Sequence, residues 1–185
     1  MKKSLILLMF FLYQTAMNAQ LANKIEITED NKLIGLGTKY ILPSSILQED
    51  RPIIISLPVD YHEDQASYPV IYVLDGLENI KHTIGTIELL TASGLIPPMI
   101  IVGIESLDRS RDLTPSRGSQ QINGGTGNAG IPQSGGASTF LRFMEEELIP
   151  FTELRYRTHS FRILEGHSFG GLFAVYTLME SPTNF

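Results

Sequence analysis

The chain has 185 residues, 43% hydrophobic and 18% charged, with no Cys, no Trp and a formal charge of −6. That composition is globular and excludes a disordered or collagen-like chain, while the absence of Cys excludes thiol nucleophiles, zinc–thiolate sites and disulfides. The acidic balance argues against nucleic acid or an anionic membrane as partner, and the length suits one domain that buries about 70% of its unfolded surface.

Lys2 and Lys3 precede an unbroken apolar run over residues 5–13, and small residues follow at Ala16 and Ala19. A positive start, a short apolar stretch and a small-residue cleavage site read as a secretory signal peptide, residues 1–19, too short to span a bilayer. Residues 20–185 are then the domain. The expected product is secreted or periplasmic, without stable membrane insertion once the signal is removed.

Residues 40–42 and 53–57 read as strands, a hairpin or simply successive, with residues 48–52 as the polar turn between them. Residues 70–74 are apolar without alternation, which predicts a strand buried on both faces, as in a parallel sheet. Ile80, Ile84, Ile87 and Leu90 recur at helical spacing, and Gly94 with Pro97 and Pro98 stops that helix. Residues 99–104 form another apolar strand. Residues 105–137 are polar and rich in Gly, Ser and Arg, so they read as a long loop on the substrate side. The run Gly125-Thr126-Gly127-Asn128-Ala129-Gly130 matches a dinucleotide fingerprint in form only, because it neither follows a strand nor opens a helix.

Leu141, Met144, Leu148 and Phe151 mark the next helical face. Ser138 or Thr139 is expected to cap it, Pro150 to end or kink it, and Glu145, Glu146 and Glu147 to lie mostly on its wet side. Residues 161–164 make a strand and residues 169–180 a helix. Strands separated by helices predict an α/β sheet, whose ligands gather at the carboxyl ends of the strands.

The chemistry concentrates at Gly166-His167-Ser168-Phe169-Gly170, a G-x-S-x-G pattern set between a strand and a helix, as a nucleophile elbow requires. The tight turn would project the Ser168 hydroxyl at the carboxyl edge of the sheet. The Phe169 N–H would then face the oxyanion formed when Ser168 attacks a carbonyl. The strand at 70–74 runs into Asp75-Gly76-Leu77, and the second oxyanion donor is expected there as the Leu77 N–H. Asp75 reads as a turn or cap residue rather than a catalytic one.

Further pieces appear in order along the chain: Leu57-Pro58-Val59-Asp60-Tyr61, Tyr68-Pro69-Val70-Ile71-Tyr72-Val73-Leu74-Asp75-Gly76 and Asp108-Arg109-Ser110-Arg111-Asp112-Leu113-Thr114-Pro115. Glu146-Glu147-Leu148-Ile149-Pro150, Tyr156-Arg157-Thr158 and Ile163-Leu164-Glu165-Gly166-His167-Ser168-Phe169-Gly170-Gly171 complete the series. Together they resemble the esterase family of α/β-hydrolases that contains esterase D-like and enterochelin esterase-like enzymes, from about residue 38 onward. The resemblance implies an α/β-hydrolase fold, a mostly parallel sheet flanked by helices. It also implies a carboxylic ester hydrolase acting on a small-molecule ester through acyl-Ser168, with Leu77 and Phe169 as oxyanion donors.

In that family the acid and the general-base His lie downstream of the elbow, whereas no His follows Ser168 here. The expectation is therefore an incomplete N-terminal portion of the fold, with little turnover by itself. Among the four His, His167 should point away from Ser168, His159 should sit at the amino end of the sheet, and His62 should be solvated. His82 is the one placed near the site. Arg109 and Arg111 are candidates to grip an anionic substrate. No metal-ligand spacing is present, and the reading requires no cofactor. The competing reading is a non-catalytic secreted binding protein or a degenerate remnant on the same scaffold.

Overall fold

The computed structural model describes residues 35–117 and 134–185. The expected signal peptide and the run Gly125 to Gly130 lie outside the described residues.

The fold opens with β1 (Thr38–Ser44) and β2 (Glu49–Ser56), paired antiparallel as a hairpin with Thr38 opposite Ile55. The turn is residues 45–48, shorter and earlier than the sequence suggested. Residues 49–52 belong to β2, because Arg51 has partners that justify its burial there. Then come β3 (Tyr68–Val73), α1 (Gly76–Ala92) and β4 (Ile100–Ile104), as the apolar runs required. The described sheet has the order β1-β2-β4-β3-β5, where β5 is Thr158–Glu165. It is a mixed sheet: β2 meets β4 antiparallel, while β4, β3 and β5 run parallel.

Both faces of the central strands are covered. Tyr72, Ile100, Val102 and Ile104 face a core completed by Phe140, Phe143, Met144, Leu148 and Phe173. On the other face, Ile71, Val73, Met99 and Ile101 pack under Ile80 of α1. Every residue of β4 is buried, which explains why that stretch lacks the alternation of a one-sided strand.

The segment from Glu105 onward is not simply a loop. Its residues Arg109–Leu113 form a short helix, α2, capped by the Asp108 side chain, which accepts from the Arg111 N–H at 3.0 Å. No apolar stripe announces it, because ion pairs anchor it. Arg51, fully buried, donates to Asp112 Oδ2 at 2.8 Å and to the Glu105 carbonyl at 2.9 Å, and it also pairs with Glu49. Arg111 closes the quartet by donating to Asp112 Oδ1 at 2.6 Å and to Glu49 at 2.7 and 3.0 Å. Burial alone would raise the Glu49 carboxyl, but the bonds from Arg111 and the charge of Arg51 outweigh it and hold it low.

The helical face around Leu141 is built from α3 (Ala137–Phe143), a π-helical turn (Met144–Leu148) and α4 (Ile149–Arg155). Gly136, rather than Ser138 or Thr139, occupies the cap position. Pro150 neither ends nor sharply breaks the helix: it has no N–H to offer, and the Ile149 N–H reaches back five residues to the Met144 carbonyl. That extra residue rotates Glu147 off the wet side. Its carboxylate accepts from Ser44 Oγ at 2.5 Å, Ser45 Oγ at 2.7 Å, and the N–H groups of Ser45 and Ile46 at 2.9 and 3.2 Å.

Burial would raise the Glu147 carboxyl, yet these donors prevail and lower it from its ordinary value of 4.5. A lowered folded-state pKa means that the stabilisation is complete above the unfolded value and is lost as pH falls through the folded one. Glu147→Gln is therefore expected to cost about 1–2 kcal/mol at neutral pH and to flatten the loss of stability on acidification. Thermal melts between pH 7 and pH 3 check both parts.

The last element, α5 (Phe169–Glu180), coincides with its sequence-predicted span. It buries Phe173 and Thr177 but leaves Leu172, Val175, Leu178 and Met179 between 43% and 75% exposed. β5 is an edge of the described sheet, paired with β3, and its Phe161 is 55% exposed.

Candidate active site

β3 and β5 are parallel neighbours, and their register brings Val73 opposite Glu165. The Leu74 N–H donates to the Glu165 carbonyl at 2.9 Å, so the two chains leave the carboxyl edge together. From this shared point each runs through a four-residue path into a helix: Leu74-Asp75-Gly76-Leu77 into α1, and Gly166-His167-Ser168-Phe169 into α5. Leu77 and Phe169 thus occupy equivalent places past the register pair. Both lie in the first turn of a helix, where an N–H has no intrahelical acceptor and can serve a ligand.

Ser168 sits at the start of α5 with φ 57° and ψ −115°, a backbone conformation that an L-residue adopts only under constraint. The constraint is visible. A Cβ on Gly166 would lie 2.4 Å from the Gly170 carbonyl carbon, so strand and helix approach as closely as bare backbone permits. The opposite loop is equally tight, since a Cβ on Gly76 would meet the Gly103 carbonyl carbon at 2.6 Å. Asp75 is left-handed, with φ 52°, and precedes α1 without capping it through its side chain. Its carboxylate instead accepts from Ser106 Oγ at 2.6 Å and from Arg109 Nε at 2.8 and 2.9 Å.

Arg109 and Arg111, read in the sequence as substrate grips, both have their charge engaged within the protein. Arg109 lies on Asp75 and also donates through Nη2 to the His167 carbonyl at 3.0 Å; Arg111 belongs to the quartet with Arg51, Glu49 and Asp112. Ser106, Glu49, Arg51 and Asp112 escaped the sequence reading. A usable signal was the Asp108 cap ahead of a compact Arg-Ser-Arg-Asp-Leu helix.

The histidines are dispersed. His159 opens β5, where its Nδ1 accepts from the Phe161 N–H at 3.0 Å; β-strand rise places it about 20 Å from the elbow. His62 is exposed and packs edge-on against Tyr61. His82 lies 3.5 Å from Glu165, whose carboxylate also accepts from Thr83 Oγ1. The His167 side chain is exposed beside the elbow. A groove of about 420 Å³, lined by Leu57, Ile84, Ile87 and Met99, lies at the amino ends of β3 and β4 and so belongs to the far side of the sheet. Among the described residues no cluster of His, Asp and Glu could hold a metal ion, and no helix is long and apolar enough to cross a membrane.

The strand order, the strand–elbow–helix unit and the paired loops define an α/β-hydrolase fold. A solved IroE-like serine hydrolase from Shewanella oneidensis superposes with a TM-score of 0.75 at 38% identity, over 80% of this chain and 48% of that one. Residues 44–185 match the model of the family described as "Putative esterase", and the chain belongs to that family. Ferri-bacillibactin esterase BesA of Bacillus subtilis is 32% identical over 131 residues, 65% of this chain and 45% of that protein. Siderophore triacetylfusarinine C esterase of Aspergillus fumigatus is 30% identical over 170 residues, 80% of this chain and 55% of that protein. The chain therefore spans about half the length of these curated relatives.

Proposed function

We propose that this chain carries the nucleophile and oxyanion hole of an exported serine esterase that cleaves a carboxylic ester of a small molecule. The observation that carries the reading is the strained Ser168 at the head of α5, with Leu77 and Phe169 each four residues past the register pair Val73–Glu165. Ser168 Oγ attacks the ester carbonyl while a general base takes its proton. The carbonyl electrons move onto oxygen, where the two N–H groups hold the charge. Collapse expels the alcohol with a returned proton, and water then hydrolyses the acyl-Ser168 bond by the same steps.

In this reading the base and its orienting acid come from outside these 185 residues. Support comes from the relatives, about twice as long, and from the exposed apolar side of α5 beside the β5 edge. Residues 1–19 act as the export signal, supported by their charge and apolar pattern. The names of the relatives make siderophore esters the first substrates to assay.

The test supplies the missing base from solution. In imidazole buffer a fluorophosphonate is expected to modify Ser168: the Oγ–P bond forms, P–F breaks, fluoride leaves and imidazole takes the hydroxyl proton. Intact-protein mass spectrometry should show one adduct in the parent chain and none in Ser168→Ala. Adduct formation that survives Ser168→Ala overturns the assignment. Fast Ser168-dependent ester turnover by the 185-residue chain without added base overturns the placement of the base elsewhere.

A further inference from the structure

We propose that Arg109 is a positioning residue that locks the two halves of the oxyanion hole together; this rests on the assignment of Leu77 and Phe169 as its donors. The two halves come from segments more than ninety residues apart in sequence, joined below by the β3–β5 ladder and by the close approach of Gly170 to Leu74. Arg109 bridges them above that ladder. Its Nε contacts both carboxylate oxygens of Asp75, and its Nη2 donates to the His167 carbonyl at 3.0 Å. Asp75 and His167 are each two residues beyond the register pair Val73–Glu165, and each is two residues ahead of its donor. The bridge therefore ties equivalent points of the two loops.

Three further observations favour positioning over direct contact with substrate. The guanidinium lies 5.5 Å from the centre of the Phe169 ring, over the very residue that supplies one donor. Ser106 Oγ holds the same Asp75 oxygen from another side at 2.6 Å, which fixes the carboxylate that Arg109 grasps. The ion pairs of the buried Arg51 and Asp112 anchor α2, the helix from which Arg109 projects, so the bridge starts from a rigid base. A planar fork suits this task, because one guanidinium reaches a carboxylate and a carbonyl in fixed geometry and a lysine ammonium does not. Oxyanion donors act only within a few tenths of an ångström, so loosening either loop reduces the rate of bond formation rather than binding.

The test measures fluorophosphonate modification of Ser168 in imidazole buffer across reagent concentrations, separating the maximal rate from the half-saturating concentration. Arg109→Lys and Arg109→Ala are expected to lower the maximal rate about 10- to 100-fold and to leave half-saturation within about twofold. Millimolar guanidinium should recover several-fold of the loss in Arg109→Ala. Near-ultraviolet circular dichroism verifies the fold, and if Arg109→Ala does not fold, Arg109→Lys decides alone. A folded variant with the parent's maximal rate overturns the proposal, as does a change confined to half-saturation, which would mark Arg109 as a substrate grip. Failure of guanidinium to rescue a folded Arg109→Ala also overturns it. Failure of the parent chain to react at Ser168 is a different result, which removes the hydrolase reading and the bridge with it.

Discussion

Gly166→Ala is expected to destabilise the domain by about 3 kcal/mol or more and to abolish reaction at Ser168. The new methyl group would stand 2.4 Å from the Gly170 carbonyl carbon and 2.5 Å from its oxygen, contacts with backbone that no rotamer change relieves. Either β5 separates from α5 or the elbow relaxes, and both move Ser168 out of its conformation at φ 57°. Gly76→Ala should act in the same way on the other loop, against Gly103 and Ile104 at 2.6 Å. Two controls separate this effect from helix propensity. Gly85, inside α1, has open space around its missing Cβ, and Gly171 would meet only the Gly166 oxygen at 3.5 Å. Gly85→Ala should therefore stabilise by roughly 0.5–1 kcal/mol, and Gly171→Ala should be near neutral or better. Urea unfolding of the four variants gives the ordering.

Arg51→Met is expected to cost about 3–5 kcal/mol, because it removes one of the two cations that pair the buried Asp112 carboxylate. Asp112 is 2% exposed and receives Arg51 on one oxygen and Arg111 on the other. Without Arg51 the Glu105 carbonyl also loses a donor, and the Phe140 ring loses the cation 5.4 Å from its centre. The apolar double replacement Arg51→Met with Asp112→Leu should recover a substantial part of the loss, since no buried charge is then left unpaired. Urea denaturation of the single and double variants measures the difference. The same single variant should reduce the reactivity of Ser168 even where the fold survives, because α2 carries Arg109.

The parts of the fold legible in the sequence are those specified by neighbours along the chain. β3 and β4 announced themselves as unalternated apolar runs because the sheet buries both of their faces. α5 matched its predicted span, and the glycines at 166 and 170 predicted the cramped turn because they let strand and helix approach closely. Pairing between polar side chains was not legible. Glu147 read as a wet-side residue and turned out to hold the β1–β2 turn from more than a hundred residues away. Residues 105–117 read as loop because charge rather than apolar periodicity holds α2 in place.

The same division runs through the site. Local pattern and chain geometry were enough for the α/β character, for the strand–turn–helix unit at Ser168 and for the two loops expected to flank it. Long-range packing sets Val73 beside Glu165, makes Leu77 and Phe169 equivalent past that pair, and brings Arg109 across to join their loops. A guanidinium has the same five donors wherever it sits. Which carboxylate or carbonyl it meets depends on strand order and register, and those are settled by burial over the whole sheet rather than by adjacent residues.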